Sequence, residues 1–196
     1  MDLRIERGRT TRERLIAVGF ELFGFRGYEA TSVGLILDTA GLARGAFYHH
    51  FATKAELFDA VLDRVIAQLA DASADAARAH DDPVASLRAG CSRWLDSALN
   101  PVVQRIVQLD AVAVVGWERV RELDDKHTLG RTKSTLRRIA RAGLLPLDNV
   151  ETLAHMLLAA VGEAAMLIGR ADDGETARKA GQEAVDLLIT RLVTPV

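Results

Sequence analysis

The sequence predicts an all-α protein of about nine helices, and three observations carry that prediction. Hydrophobic residues fill 49% of the 196 positions while aromatic residues fill only 5%, and the apolar letters are mostly Ala, Leu and Val, which favours helix over sheet. Apolar residues recur at intervals of three and four along most segments, the period of a helix with one buried face. Of the 4 prolines, Pro83, Pro101 and Pro146 stand where one helical pattern stops and another starts. The length suits one sizeable core, or two modest ones sharing a helix.

The elements follow in order. Leu15, Val18 and Leu22 share one row and Ile16, Gly19 and Phe23 the next, giving a first helix from Thr11 to Arg26 that Gly27 ends. Thr31 is the expected N-cap of a short second helix, in which Val33, Ile36, Leu37 and Ala40 repeat until Gly41 admits a positive φ. After Gly41-Leu42-Ala43, Phe47 and Phe51 share one face of a third helix from Arg44 to Phe51. Thr53 caps a fourth helix, whose stripe from Leu57 to Leu69 drifts into Ala-rich sequence ending at Asp81-Asp82-Pro83. That helix is long enough to join two units. Pro83 opens a fifth, to about Leu99, and Pro101 a sixth. A long amphipathic run from Trp117 to Arg141 is halted by Gly143 and Pro146. Asp148 is the expected cap of an eighth helix to about Gly169, and Glu175 to Leu192 forms the ninth.

Composition narrows the function. The formal net charge is -2, so no broad basic face exists, yet Arg4, Arg7, Arg9, Arg12 and Arg14 outnumber Asp2, Glu6 and Glu13 in a locally basic N-terminal arm. The start lacks a signal-type apolar run, and no stretch approaches about 18 uncharged apolar residues, so a cytoplasmic protein without a membrane segment is expected. Cys91 is the single cysteine and has no thiol or histidine partners at ligand spacing, so no disulfide, metal or cofactor is expected. No Gly-rich phosphate loop, HExxH or nucleophile motif with a partner base occurs, which argues against an enzyme.

Two short helices across a glycine turn, held by a preceding helix, make a helix-turn-helix at about residues 31–51, which lays its second helix in the DNA major groove. With Leu42, Phe47 and Phe51 turned inward, Arg44, Gly45, Ala46, Tyr48, His49 and His50 face outward or toward the rim. Small residues permit close approach to base edges. Arg44 can hydrogen-bond guanine in bidentate fashion, Tyr48 can donate its hydroxyl to a phosphate, and His49 and His50 can serve either role. Lys54 and the open N–H groups of the fourth helix make a second anion site. The alternative is a helical protein–protein adaptor whose aromatic cluster merely covers a bundle core.

Gly27-Tyr28, Thr31-Ser32-Val33, Ile36, Ala40-Gly41-Leu42, Gly45, Phe47-Tyr48-His49-His50-Phe51 and Lys54 with Leu57 together resemble the DNA-binding domain of the tetracycline-repressor (TetR) family, over about residues 9–69. The resemblance implies a homodimeric regulator, with Thr31, Tyr48 and Lys54 at phosphates and Arg44, Gly45, Ala46 and His49 at or near the bases. Gly34, inside the second helix, and the bulky Leu37 depart from the pattern.

Residues 83–196 match the family in layout, implying a ligand-binding and dimerisation domain. Small residues in the stripes of the eighth and ninth helices permit close helix approach, and the resemblance implies that these two pack against their copies. A dimer would set two recognition helices about 34–36 Å apart on an inverted repeat of double-stranded DNA. For a pocket taking an unidentified small-molecule effector, the candidates are Cys91, Trp94, Leu95, Gln108, Trp117, Met156 and Met166, with His155, Glu163 and Arg105 as polar anchors.

Overall fold

A computed structural model describes the backbone of residues 3–193 and the side chains of residues 10–193. Among these, nine helical runs occur in order: α1 (Leu3–Arg26), α2 (Val33–Ala40), α3 (Arg44–His50), α4 (Lys54–Arg78), α5 (Pro83–Ser97), α6 (Pro101–Val115), α7 (117–141), α8 (Val150–Arg170) and α9 (Gly174–Leu192). No strand is present among the described residues. The long helices α6 and α7 each contain a wider π-helical stretch, at Gln104–Asp110 and Asp125–Leu129.

Several ends differ from the sequence expectation. Helix α1 starts at Leu3 rather than Thr11; the side chains of Arg4, Arg7 and Arg9 in the expected basic arm lie outside the described residues. The cap of α2 is Ser32, whose hydroxyl accepts from Leu35 N–H at 3.1 Å. Thr31 is instead buried, and its hydroxyl donates to the Gly27 carbonyl at 2.8 Å, tying the α2 entrance to the end of α1. Asp148 sits in a short 3₁₀ turn, Leu147–Asn149, ahead of α8 and does not cap it. Gly41 behaves as read: with φ at 60° it lets Leu42 N–H reach back to the Leu37 carbonyl at 3.0 Å, closing α2 before α3 starts.

Two cores share the molecule. The first joins α1 to α4 through Phe23, Ile36, Phe47, Leu57 and Phe58 and extends to Ile106 of α6 and Leu123 of α7. Its rings meet edge-on, with Phe23 and Phe58 centroids 5.3 Å apart, and Tyr28 packs on both. The second gathers Leu95, Leu136, Ile139, Leu157, Ile168, Val185 and Ile189 from α5, α7, α8 and α9. Trp94 packs against both.

Helix α4, 25 residues and so about 37 Å long, runs from one core to the other. Basic groups of α7 strap it along its length. Arg119 makes a two-point bond to Asp59 at 2.8 and 3.0 Å, Lys126 and His127 meet Asp63 at 2.7 and 2.8 Å, and Arg131 reaches Asp71 and the Ala70 carbonyl at 2.6 and 2.7 Å.

By length and mean hydropathy of 1.6, Leu147–Arg170 is apolar enough to cross a membrane, although Asp148, Glu151, Glu163 and Arg170 interrupt it and leave no run of about 18 uncharged residues. The reason is that α8 is apolar on two sides. One side fills the second core, and the other leaves Met156 and Leu167 exposed.

Candidate nucleic-acid interface and cavity

Helix α3 is anchored from beneath. Phe47 is fully buried and Phe51 nearly so, and the guanidinium of Arg12 on α1 lies 5.4 Å from the Phe51 ring centre. Burying Phe47 alone stabilises the unit by about 2–3 kcal/mol. The opposite face is open: Arg44, Gly45, Tyr48 and His49 are exposed, and Ala46 and His50 half-buried. A side chain placed at Gly45 would meet nothing within 4 Å, so backbone could approach a surface closely there. Arg44 lies over the Tyr48 ring at 5.7 Å, which holds both at one rim. His49 and His50 stack edge-on with centroids 4.9 Å apart. Desolvation, then the neighbouring His49 and Arg12 charges, lowers the His50 pKa below the usual imidazole range, so at neutral pH His50 is an uncharged donor–acceptor.

Two residues expected at phosphates are used inside the protein. Thr31 is closed to solvent, because its hydroxyl serves the α1 terminus as described, and a phosphate contact by that side chain is corrected on this ground. Lys54 is half-buried; its ammonium donates to the Tyr28 carbonyl at 2.8 Å and sits 3.9 Å from the Tyr28 ring centre. The α4 N-terminus is also occupied, since Thr53 accepts from Glu56 N–H and Glu56 accepts from Ala52 N–H at 2.8 Å. The chain's own Glu56 carboxylate thus takes the Ala52 N–H just ahead of the helix, and Thr53 takes that of Glu56. A Cβ added to Gly34 would find only the Ser32 hydroxyl within 4 Å, so packing does not require glycine there and its cost of about 1 kcal/mol against alanine stands, and Leu37 is core.

The α1–α2 corner is bolted to the C-terminal part. Tyr28 N–H donates to Asp110 of α6 at 2.8 Å, and a Cβ at Gly24 would overlap Val102 of α6. Neither Asp110 nor Val102 stands out in the sequence, because a single acidic residue or valine in a helix carries no signal of a distant partner.

A cavity of about 130 Å³ lies between α4, α5, α7 and α8. Of the sequence candidates, Cys91 and Trp94 line it and the others do not. Leu95 is core. Gln108 donates to the Ala165 carbonyl at 3.0 Å on another face of α8. Trp117 and Met156 are 65% and 62% exposed. Arg105 and Glu163 are exposed, Met166 is half-buried outside the cavity, and His155 lies in a polar cluster with Arg121 at 2.9 Å. Apolar bulk marks Trp117 and Met156, but both lie on the outside of the bundle. Burial pushes the Cys91 thiol up to about 12, which keeps it protonated and unreactive. Sequence reading misses Asp124, Ser73 and Arg131, which also line the cavity; the Asp124-Asp125-Lys126-His127 run reads as solvated surface, and only α7's helical phase turns Asp124 inward.

A three-helix reading head with an open α3, joined by one long helix to a bundle around a cavity, defines a helix-turn-helix DNA-binding regulator. Residues 15–61 match the family model for bacterial regulatory proteins of the tetR family, and residues 84–192, more than half of the chain, match the tetracyclin repressor-like C-terminal domain. The chain belongs to the TetR family and is a DNA-binding transcriptional regulator. A solved TetR-family transcriptional regulator from Pectobacterium atrosepticum is 29% identical, with a TM-score of 0.85 over 97% of this chain and 98% of that one. The regulator AcrR of Shigella flexneri is 26% identical over 76% of this chain and 73% of its own length. RolR, solved in complex with resorcinol, shares the fold at 16% identity, with a TM-score of 0.76 over 97% of this chain and 91% of RolR.

Proposed function

We propose that this regulator is a cytoplasmic homodimeric repressor, which binds an inverted-repeat operator and leaves it when a small effector enters the cavity between α4, α5, α7 and α8. The observation that carries the reading is the outward face of α3. Arg44 addresses a base edge, Gly45 and Ala46 allow the approach, and Tyr48, His49 and His50 reach bases or phosphates. The exposed hydroxyl of Ser32 takes the phosphate place expected of Thr31, and Lys54 contributes positive potential from behind. Residues 9–69 form the reading domain, and 83–196 the sensing and dimer-forming domain.

The exposed Met156 and Leu167 of α8 with Leu187 and Leu188 of α9 support pairing of these two helices with their copies, since large apolar side chains left in solvent favour association. RolR's resorcinol is a one-ring molecule, and the cavity has room of that order. Its position against the C-terminal half of α4 supports the switch: an effector that favours a tilted α4 displaces α3 through the shared first core, and the half-site spacing is lost. Effector coupling of this kind is typically about 1–3 kcal/mol.

The test is selection of bound sequences from a random DNA pool, followed by anisotropy at fixed salt. An inverted repeat with one half-site per recognition helix is expected. A protein that remains monomeric at micromolar concentration in sedimentation, or selected sites without two-fold symmetry, would overturn the dimeric reading. Salt-independent affinity would overturn the phosphate contacts.

A further inference from the structure

The polar groups around the cavity are unevenly satisfied. Arg131 is committed to Asp71 and the Ala70 carbonyl, while the hydroxyls of Thr128, Thr132 and Thr135 donate to carbonyls of Asp124, Thr128 and Arg131 in their own helix. The carboxyl of Asp124 has no hydrogen bond or ion pair among the described residues, and the Ser73 hydroxyl, on the facing helix α4, is buried without a partner. The rest of the wall is apolar, including Leu87, Trp94, Leu157 and Val161. Burial raises the Asp124 pKa to about 6; of the neighbouring charges, Arg121 and His127 lower it and Asp125 raises it. Arg121 and His127 are themselves engaged by Asp125 and Asp63. At neutral pH the cavity therefore holds a mostly ionised carboxylate that no hydrogen bond or ion pair among the described residues answers, an arrangement that costs free energy until a partner arrives.

We infer that the cavity takes a small organic cation, a monoamine with an apolar body of about one ring, its ammonium donating to the Asp124 carboxylate. The inference rests on the reading of this cavity as the effector site. Size follows from volume: an apolar cavity of about 150 Å³ holds benzene, so about 130 Å³ takes one ring or an equivalent chain. Charge follows from Asp124. A neutral hydroxyl would supply a hydrogen bond but leave the charge uncancelled, an anion would be repelled, and a cation supplies both the bond and the charge. Trp94 offers an aromatic wall against which a ring or an ammonium packs favourably.

The test uses the full chain with three probes of matched shape, benzylamine, benzyl alcohol and benzoate, titrated calorimetrically near pH 7.5. Benzylamine is expected to bind about tenfold more tightly than benzyl alcohol, and benzoate not at all. Asp124→Asn, which keeps the shape, should erase the preference while leaving benzyl alcohol within about twofold. Equal or tighter binding of the alcohol or benzoate, a preference that survives Asp124→Asn, or no binding of any probe up to about 10 mM would each overturn the inference. The comparison of probes on the unmodified protein does not depend on the variant's folding. Operator binding, measured in parallel, separates the two readings. Amine selectivity with operator affinity unchanged at saturation keeps the ligand class and overturns the effector role. Operator release by the neutral or anionic probe alone keeps the effector role and overturns the ligand class.

Discussion

The reading head and the sensing bundle treat their buried polar groups in opposite ways. In the head, the Thr31 hydroxyl, the Tyr28 N–H and the Lys54 ammonium are each partially or fully buried, and each is answered within the chain at 2.8 Å. In the bundle, the Ser73 hydroxyl is buried without a partner, and the half-buried Asp124 carboxyl has no hydrogen bond or ion pair among the described residues, both beside a cavity. Buried polar groups are paired as a rule because an unpaired one costs about 1–3 kcal/mol. The contrast teaches where each half keeps its adaptability. The head is finished before it meets DNA and presents a fixed surface, whereas the bundle retains groups whose satisfaction depends on something outside the chain.

The contrast can be broken first at the head. Phe47→Ala removes the fully buried anchor of α3 and should cost about 3–5 kcal/mol in equilibrium denaturation; a loss below about 1 kcal/mol would show that α3 is not held from beneath. Arg44→Ala should leave the thermal midpoint unchanged while weakening operator binding by about 1–3 kcal/mol at fixed salt and relaxing preference at one base position.

In the bundle the expected effect has the opposite sign. Because the folded-state pKa of Asp124 is raised to about 6, its protonated form favours folding at low pH, and that contribution is lost as pH rises through about 6. Asp124→Asn should therefore stabilise the protein at pH 7 by about 1–2 kcal/mol, after allowance for partial solvent access, and the gain should vanish below about pH 4. Denaturation midpoints across that range check the sign. The smallest effect belongs to the strap between the two parts. Arg119 and Asp59 are partly exposed, so a double-mutant cycle should return about 0.2–1 kcal/mol, shrinking as salt is raised.

Legibility in the sequence follows the same division. The head is readable because local chemistry decides it: Gly41 must accept φ of 60°, and Phe47 with Phe51 must share a face. Apart from the start of α1 at Leu3 rather than Thr11, the differences there are shifts of one residue or one direction. Thr31 and Ser32 are both competent caps, and only the packing of the α1 terminus sends the first inward. Lys54 has a stem long enough to turn back onto Tyr28, which no local pattern announces. In the bundle, the helices can be counted from their stops, but the cavity cannot be drawn, because its walls come from four helices. Trp94 and Cys91 are legible as apolar bulk on the inner face of α5. Asp124 is not, since an acidic run reads as surface until the phase of α7 is known.

Trp94 touches both cores and the cavity wall, while Trp117, the other tryptophan, is 65% exposed. The protein thus carries two tryptophan fluorophores in contrasting surroundings, one shielded at the junction and one that a dissolved quencher such as iodide can reach. Replacing Trp117 by phenylalanine would leave a single tryptophan, at the junction between sensing and reading, so that under excitation selective for tryptophan, occupancy of the cavity and its transmission along α4 could be followed by light, in real time and without a label.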